Sequence, residues 1–384
     1  MLRGSVSLVY GMFYLVTIQY APNSASTNRI MAYVKGFSEL GFPATVVFFE
    51  PDRLKSMVTS LYPNIEFVYK WERLFINIPR LKKIFIRSNI KAFVRRLKEG
   101  DMVYVYGFPD LVKKLSDRND IRVFSEITEH PQASFPNYIS RTSVEEYIQA
   151  VKKVSGVVVI SSALKDYFID NGCTPEKVHV VNMIVDSVRF RYVEKQAVEP
   201  YIAYCGTASN TKDGVDQLIK SFAIVLRNHP YYKLLIIGPT PSKRQRFDNL
   251  ELVKTLKIED KVVFTGMVSS TDIPQLLKNA EILALDRPDN LQAQFGFPTK
   301  LGEYLLTGNP VVLTRVGDIP LFLTDKENAL ITEPDNPSAF AEKICWAIDN
   351  PTESKLIGAK GKLTAEMFFD YRKETKKIIH FLND

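Results

Sequence analysis

Short apolar runs, each stopping at a glycine or a polar loop and each followed by a segment of helical period, recur along this whole chain. In the second half, residues 201–205 (YIAYC) stop at Gly206, 234–237 at Gly238 and 262–265 at Gly266, while 282–285 lead into the polar loop 286–290. In the first half the runs are 13–19, 44–49, 102–106, 123–127, 156–161 and 178–182. Short continuous apolar runs suit strands buried on both faces, and helical segments between them supply the crossovers that parallel strands need. The chain is therefore expected to be α/β with mostly parallel sheets. Its 384 residues suggest two domains, each with a large core. Residues 187–200 are polar, lack periodicity and read as the connection between them.

Composition narrows the functional classes. Hydrophobic content of 46% and charged content of 24% are globular values. The cysteines are Cys173, Cys205 and Cys345, an odd and scattered set that fits a reducing compartment, and the four histidines are equally dispersed. No metal site is expected. The net charge of +7 resides in residues 1–190, and residues 70–98, from Lys70 to Lys98, hold ten basic residues against Glu72. Aromatic and aliphatic residues interleave with these charges, which favours an anionic membrane surface over nucleic acid. A solvated helix face is the alternative. The longest apolar stretch near the start, residues 5–18, is about fourteen residues and too short to span a bilayer. Met12 is an alternative start. A cytoplasmic protein, peripheral on the inner face of the membrane, is the expectation.

Candidate binding residues gather at the ends of the apolar runs. In residues 295–314 (FGFPTKLGEYLLTGNPVVLT), Pro298 suits the first turn of a helix running from Thr299, Gly308 stops it, and 311–313 form a strand. The amides at that helix start, together with Lys300, would make an anion site, or the stretch is an ordinary helix–turn–strand unit. Lys212 lies in a second polar loop. In the first half, Asn28 and Arg29 stand at an expected helix start and could hold an anionic or hydroxylated group, or serve as a cap and a surface charge. Glu129 and His130 follow a strand and could hold an acceptor hydroxyl, or be loop residues before Pro131.

Taken in order, these pieces resemble the retaining nucleotide-sugar glycosyltransferases of family four, group 1. The resemblance rests on Asn28-Arg29, VVISSALK at 158–165, Asn182-x-x-Val-Asp186, Gly206 with Lys212-x-Gly214, Ile236-Ile-Gly238, Phe264-Thr-Gly266 and above all GFPTKLGEY at 296–304. It implies a GT-B fold: two Rossmann-like doubly wound domains facing a central cleft, with a C-terminal helix crossing back to the first. The first domain, 1–188 plus helix 365–384, would bind the acceptor, and 189–364 the nucleotide-sugar donor.

The resemblance also implies roles. Lys212 and Lys300 would be catalytic, neutralising the donor diphosphate beside Gly206 and Thr207. Amides at Thr299, Lys300 and Leu301 would bind it, and Glu303 would accept the ribose hydroxyls. Gly266, Met267 and Val268 would hold the base. Backbone at Gly296 and Phe297, or Gln294, would meet the sugar, while Asn28, Arg29, Glu129 and His130 would lie on the acceptor side. No cofactor or metal is implied, nor nucleic acid, and the acceptor would be lipid-linked or a polysaccharide of the cell envelope or capsule. Two positions depart from the common pattern. Phe295 stands where many members have a sugar-binding glutamate, and Thr207 where an arginine is common. A GT-B sugar-nucleotide epimerase and an inactive nucleotide-binding subunit are the alternatives.

Overall fold

The computed structural model describes residues 11–18, 24–49, 61–69, 79–135 and 140–384, excluding the side chains at 79–83 and 85. The chain forms two compact units, Met1–Asn182 with Thr375–Asp384, and Met183–Glu374. The division thus precedes the polar stretch 187–200, whose turn Ser187–Phe190 already belongs to the second unit.

In the first unit the order is β1 (Phe13–Thr17), α1 (Ala25–Glu39), β2 (Ala44–Phe48), β3 (Ile65–Tyr69), α2 (Pro79–Arg96), β4 (Met102–Tyr106), α3 (Pro109–Leu115) and β5 (Arg122–Ile127). It continues through α4 (Pro131–Ser134), α5 (Val144–Val151), β6 (Gly156–Val159), α6 (Ser162–Asp170) and β7 (Val178–Val180). The sheet is wholly parallel in the order β3-β2-β1-β4-β5-β6-β7. Strands such as β2 (ATVVF) and β4 (MVYVY) are buried at every position, as a sheet covered on both faces requires. Helix starts follow local chemistry: Ser143 and Glu146 form a capping box before α5, and the Ser161 hydroxyl caps α6.

Several sequence expectations change here. Helix α1 begins at Ala25, capped by Ser24, so Asn28 and Arg29 lie within it and not at its start. Strand β3 was not anticipated. Of the basic stretch 70–98, residues 70–78 lie outside the described residues and 79–96 form α2. Gln19, expected to end the first strand, and residues 1–10 also lie outside them. Among the described residues, no helix is long and apolar enough to cross a membrane.

The second unit runs β8 (Tyr201–Cys205), α7 (Asn210–Asp213), α8 (Val215–Val225), β9 (Lys233–Ile237), α9 (Lys243–Thr255), β10 (Val262–Gly266), α10 (Ile273–Asn279) and β11 (Ile282–Leu285). There follow α11 (Leu291–Phe295), α12 (Leu301–Leu306), β12 (Val311–Thr314), β13 (Leu330–Thr332), α13 (Pro337–Asp349), α14 (Pro351–Phe368) and the first residues of α15 (Tyr371–Asn383), whose remainder from Thr375 belongs to the first unit. Its parallel sheet has the order β10-β9-β8-β11-β12-β13, the same inside-out winding as the first. In such sheets ligands bind beyond the carboxyl ends of the strands where the order reverses, here between β8 and β11.

The expected terminal helix 365–384 is interrupted. Phe369 and Tyr371 leave helical bonding to pair with the backbone of Val185, and Asp370 caps the restart by accepting from the Arg372 amide at 3.0 Å. Helix α15 then ends in the first unit, where Phe381 packs on Phe124 and stacks on His179.

Candidate active site

The carboxyl ends of β8 and β9 meet at two glycines. A Cβ on Gly238 would lie 2.3 Å from the Gly206 carbonyl oxygen, so only glycine permits this backbone approach. The Ala208 amide donates to Pro239 O at 2.8 Å, locking the two loops together. The chain then enters α7, capped by the Ser209 hydroxyl, and leaves through Gly214 at φ 62°, where a Cβ would strike Asp286 O at 1.8 Å. This tight turn keeps Lys212 half-buried and turns Asp213 inward, 4% exposed.

The stretch 295–314 is built differently from the expectation. Asn290 caps α11, which ends at Phe295, and residues 296–300 form a turn closed by the Leu301 amide donating to Pro298 O at 3.0 Å. Pro298 and Thr299 therefore precede α12, and Lys300 occupies its cap position. The Leu301 amide is already engaged, and a six-residue helix carries only a small dipole, so the diphosphate cradle expected from helix amides at Thr299–Leu301 is weaker than the sequence implied. The Phe297 side chain is buried, with its ring centroid 5.7 Å from Phe322 and 5.6 Å from Phe369, so the ring serves the core and only the backbone of 296–297 remains for a ligand contact.

What the turn does deliver is charge. The Lys300 side chain crosses over Gly206, where a Cβ would sit 2.7 Å from its Cε. Its Nζ donates to Asp213 Oδ2 at 2.5 Å and to the Tyr204 hydroxyl at 3.0 Å. Burial pulls the Lys300 ammonium below the usual lysine value, and Asp213 only partly offsets it. Burial would raise Asp213 in turn, but Lys300 first and Arg287 second hold it below the usual carboxylate range. Arg287 is 2% exposed, with Nε 3.8 Å from Asp213 Oδ1 and donating to Lys212 O at 3.3 Å.

One turn along α12, the Glu303 carboxylate accepts from Arg189 Nη1. Burial raises Glu303 above the usual glutamate value despite this guanidinium. Tyr304 registers the helix against the β8 end: its hydroxyl accepts from the Cys205 amide at 2.6 Å. At the end of β10, Gly266 has φ 67° and open space where a Cβ would project; Met267 is 65% exposed and Val268 partly so. Thr207 is exposed beside Gly206. Lys300, Glu303, Gly206 and Thr207 are thus gathered at one sheet end, as the sequence implied. Asp213, Arg287 and Arg189 complete the charge pattern, and sequence reasoning passed over all three. A charged residue in a polar loop carries no periodicity to mark it as buried.

The first-unit residues fare less uniformly. Arg29 is not available to a ligand. It is 3% exposed, and its three nitrogens donate to Glu126 Oε1 at 2.5 Å, Asn182 O at 2.5 Å and Val181 O at 2.7 Å. Asn28 is exposed on α1 and Glu129 half-buried after β5. His130 is buried; its Nδ1 accepts from the Gln132 amide at 3.3 Å as the cap of α4, and its ring meets Tyr167 edge-on at 4.4 Å. Burial pulls its pKa down. With its Nδ1 engaged as the cap of α4, His130 has a structural part in this turn.

Residues 199–350 match the family model described as "Glycosyl transferases group 1". An uncharacterised glycosyltransferase of Methanocaldococcus jannaschii is 26% identical over 219 residues, 53% of this chain and 52% of that protein. The MMP alpha-(1->4)-mannosyltransferase of Mycolicibacterium hassiacum is 24% identical over 231 residues, 60% of this chain and 54% of that protein. The chain thus matches about half the length of these curated relatives. The crystal structure of Anabaena HepE in complex with UDP superposes with a TM-score of 0.76 at 18% identity, covering 97% of this chain and 100% of that one. Residues 199–350 are therefore similar to the group 1 glycosyltransferases, and both units have the parallel-sheet Rossmann-like form of the GT-B glycosyltransferase structures.

Proposed function

We propose that this protein transfers a sugar from a nucleoside-diphosphate donor to a lipid-linked or polysaccharide acceptor in cell-envelope or capsular polysaccharide synthesis, with retention at the anomeric carbon and no resident metal. The observation that carries this reading is the placement of Lys300 over Gly206 with Glu303 one turn further on α12. Departure of the leaving group places negative charge on the diphosphate oxygens, and fixed cations at that point stabilise it. An ammonium has three protons, and Lys300 gives two directions to Asp213 and Tyr204, which leaves one for a phosphate oxygen. Lys212 would supply a second cation, Glu303 would accept the ribose hydroxyls, and the open shelf at Gly266–Val268 would take the base. The Anabaena protein of similar fold was crystallised with UDP, which favours a nucleotide as the ligand.

Isothermal titration with UDP, GDP, ADP and CDP tests the reading. Saturable binding of at least one, weakened by Lys300→Ala, is the expected result; binding of none would remove the donor assignment. The membrane part rests on α2, where Lys91, Arg95 and Arg96 are exposed and Ile84 is 59% exposed. Co-sedimentation with vesicles containing anionic phospholipid should occur at low salt and fade as ionic strength rises. Equal recovery with neutral and anionic vesicles would return α2 to an ordinary solvated face.

A further inference from the structure

The segment that opens the second unit does more than connect. Within residues 183–189 it grips α12 at two consecutive positions. The Met183 Sδ accepts from the Gly302 amide at 3.1 Å, and a Cβ at 302 would lie 2.7 Å from Met183 Cε, so glycine is what admits the methionine. At the next residue, Arg189 Nη1 donates to Glu303 Oε1 while its Nη2 donates to Ser270 O at 2.9 Å. The turn carrying Arg189 is itself held, by the Val188 amide donating to Asp186 Oδ1 at 3.0 Å and by Ser187 Oγ donating to Asp370 Oδ2 at 2.5 Å. The pair is partly open, with side chains 28% and 17% exposed.

We propose that Arg189 is a positioning residue for the donor: by occupying Oε1 it fixes the Glu303 carboxylate with Oε2 directed to the ribose diol. This rests on the reading of Glu303 as the ribose acceptor. A carboxylate accepts from both hydroxyls of a diol only when ionised and held in one rotamer. Four other ionisable or charged groups bear on it. Arg189 favours the ionised form and Asp186 opposes it, while Cys205 and Tyr304 lie close enough to feel its charge. Burial also opposes ionisation, so Arg189 is what offsets the cost of keeping a charge there. The anchoring of Arg189 on Ser270 ties the opening segment to the loop after β10, beside the shelf assigned to the base.

The test compares the ribonucleoside diphosphate that the full chain binds with its 2′-deoxy counterpart, in wild type, Arg189→Met and Arg189→Lys, between pH 6 and pH 9. Wild type should prefer the ribo form on the order of 10-fold to 100-fold, the worth of a hydrogen bond to a charged group. Arg189→Met should lose most of that preference at pH 7 and regain part of it at pH 9 as Glu303 ionises; Arg189→Lys should be intermediate. An unchanged ribo-to-deoxy ratio in Arg189→Met would overturn the proposal, and so would a uniform loss for both nucleotides with no pH dependence. Wild type that binds both forms equally would instead overturn the assignment of Glu303 to the ribose. If Arg189→Met fails to fold, the ratio and its pH profile in Arg189→Lys decide: a wild-type ratio overturns the proposal, a reduced one supports it.

Discussion

Glu126→Ala is expected to destabilise the first unit by about 3–5 kcal/mol, the cost of leaving a buried charge without its partner. Glu126 is 1% exposed and accepts from Arg29 Nε, from the Tyr104 hydroxyl at 2.7 Å and from the Tyr33 hydroxyl at 3.1 Å. Burial alone would lower the pKa of Arg29, but Glu126 together with Tyr33, Tyr106 and Tyr104 outweighs it and the guanidinium is held charged. Removing the carboxylate strands that charge against two carbonyls and orphans two buried tyrosine hydroxyls whose ionisation burial already opposes. Urea unfolding that resolves the first unit's transition measures the loss. The double replacement Arg29→Met with Glu126→Leu should recover much of it, because apolar isosteres of a buried pair are often close to neutral. A loss below about 1 kcal/mol in Glu126→Ala would show that this pair contributes no more than a surface one.

Lys300→Ala is expected to lower the turnover of the proposed transfer by roughly 100-fold to 1,000-fold, the range for removing a preorganised charge-stabilising group. The same change leaves Asp213, 4% exposed, without the 2.5 Å Lys300 partner and with Arg287 no closer than 3.8 Å, so stability should fall as well. The two effects separate in a pair of variants. Lys300→Met with Asp213→Asn removes both charges and should fold more stably than Lys300→Met alone, yet it should remain as inactive. Steady-state kinetics together with thermal unfolding make the measurement. Turnover within threefold of wild type in Lys300→Ala would take Lys300 out of the chemistry.

Both predictions concern charge pairs, and both mark the limit of what the chain reveals before folding. The strands were legible because apolar runs such as YIAYC and ILAL must be buried whatever their neighbours, and helix α10 because Pro274 and the following period define it locally. The ends of strands at Gly206, Gly238 and Gly266 were legible for the same local reason. Helices α9 and α14 and strand β3 were not. Helix α9 buries only Asn249 and Val253 along its length, which leaves too weak a stripe to read.

The sequence by itself determined two parallel α/β units and the glycine- and proline-marked turns that carry Gly206, Lys300 and Glu303, since glycines, proline and apolar period act over a few residues. Only the tertiary structure decided which charges are spent internally. Arg29 meets Glu126 across 97 residues, Lys300 meets Asp213 across 87, and Arg189 meets Glu303 across 114. Whether a charged side chain faces solvent, a ligand or a buried counter-charge depends on what the rest of the fold brings beside it, and no local pattern records that.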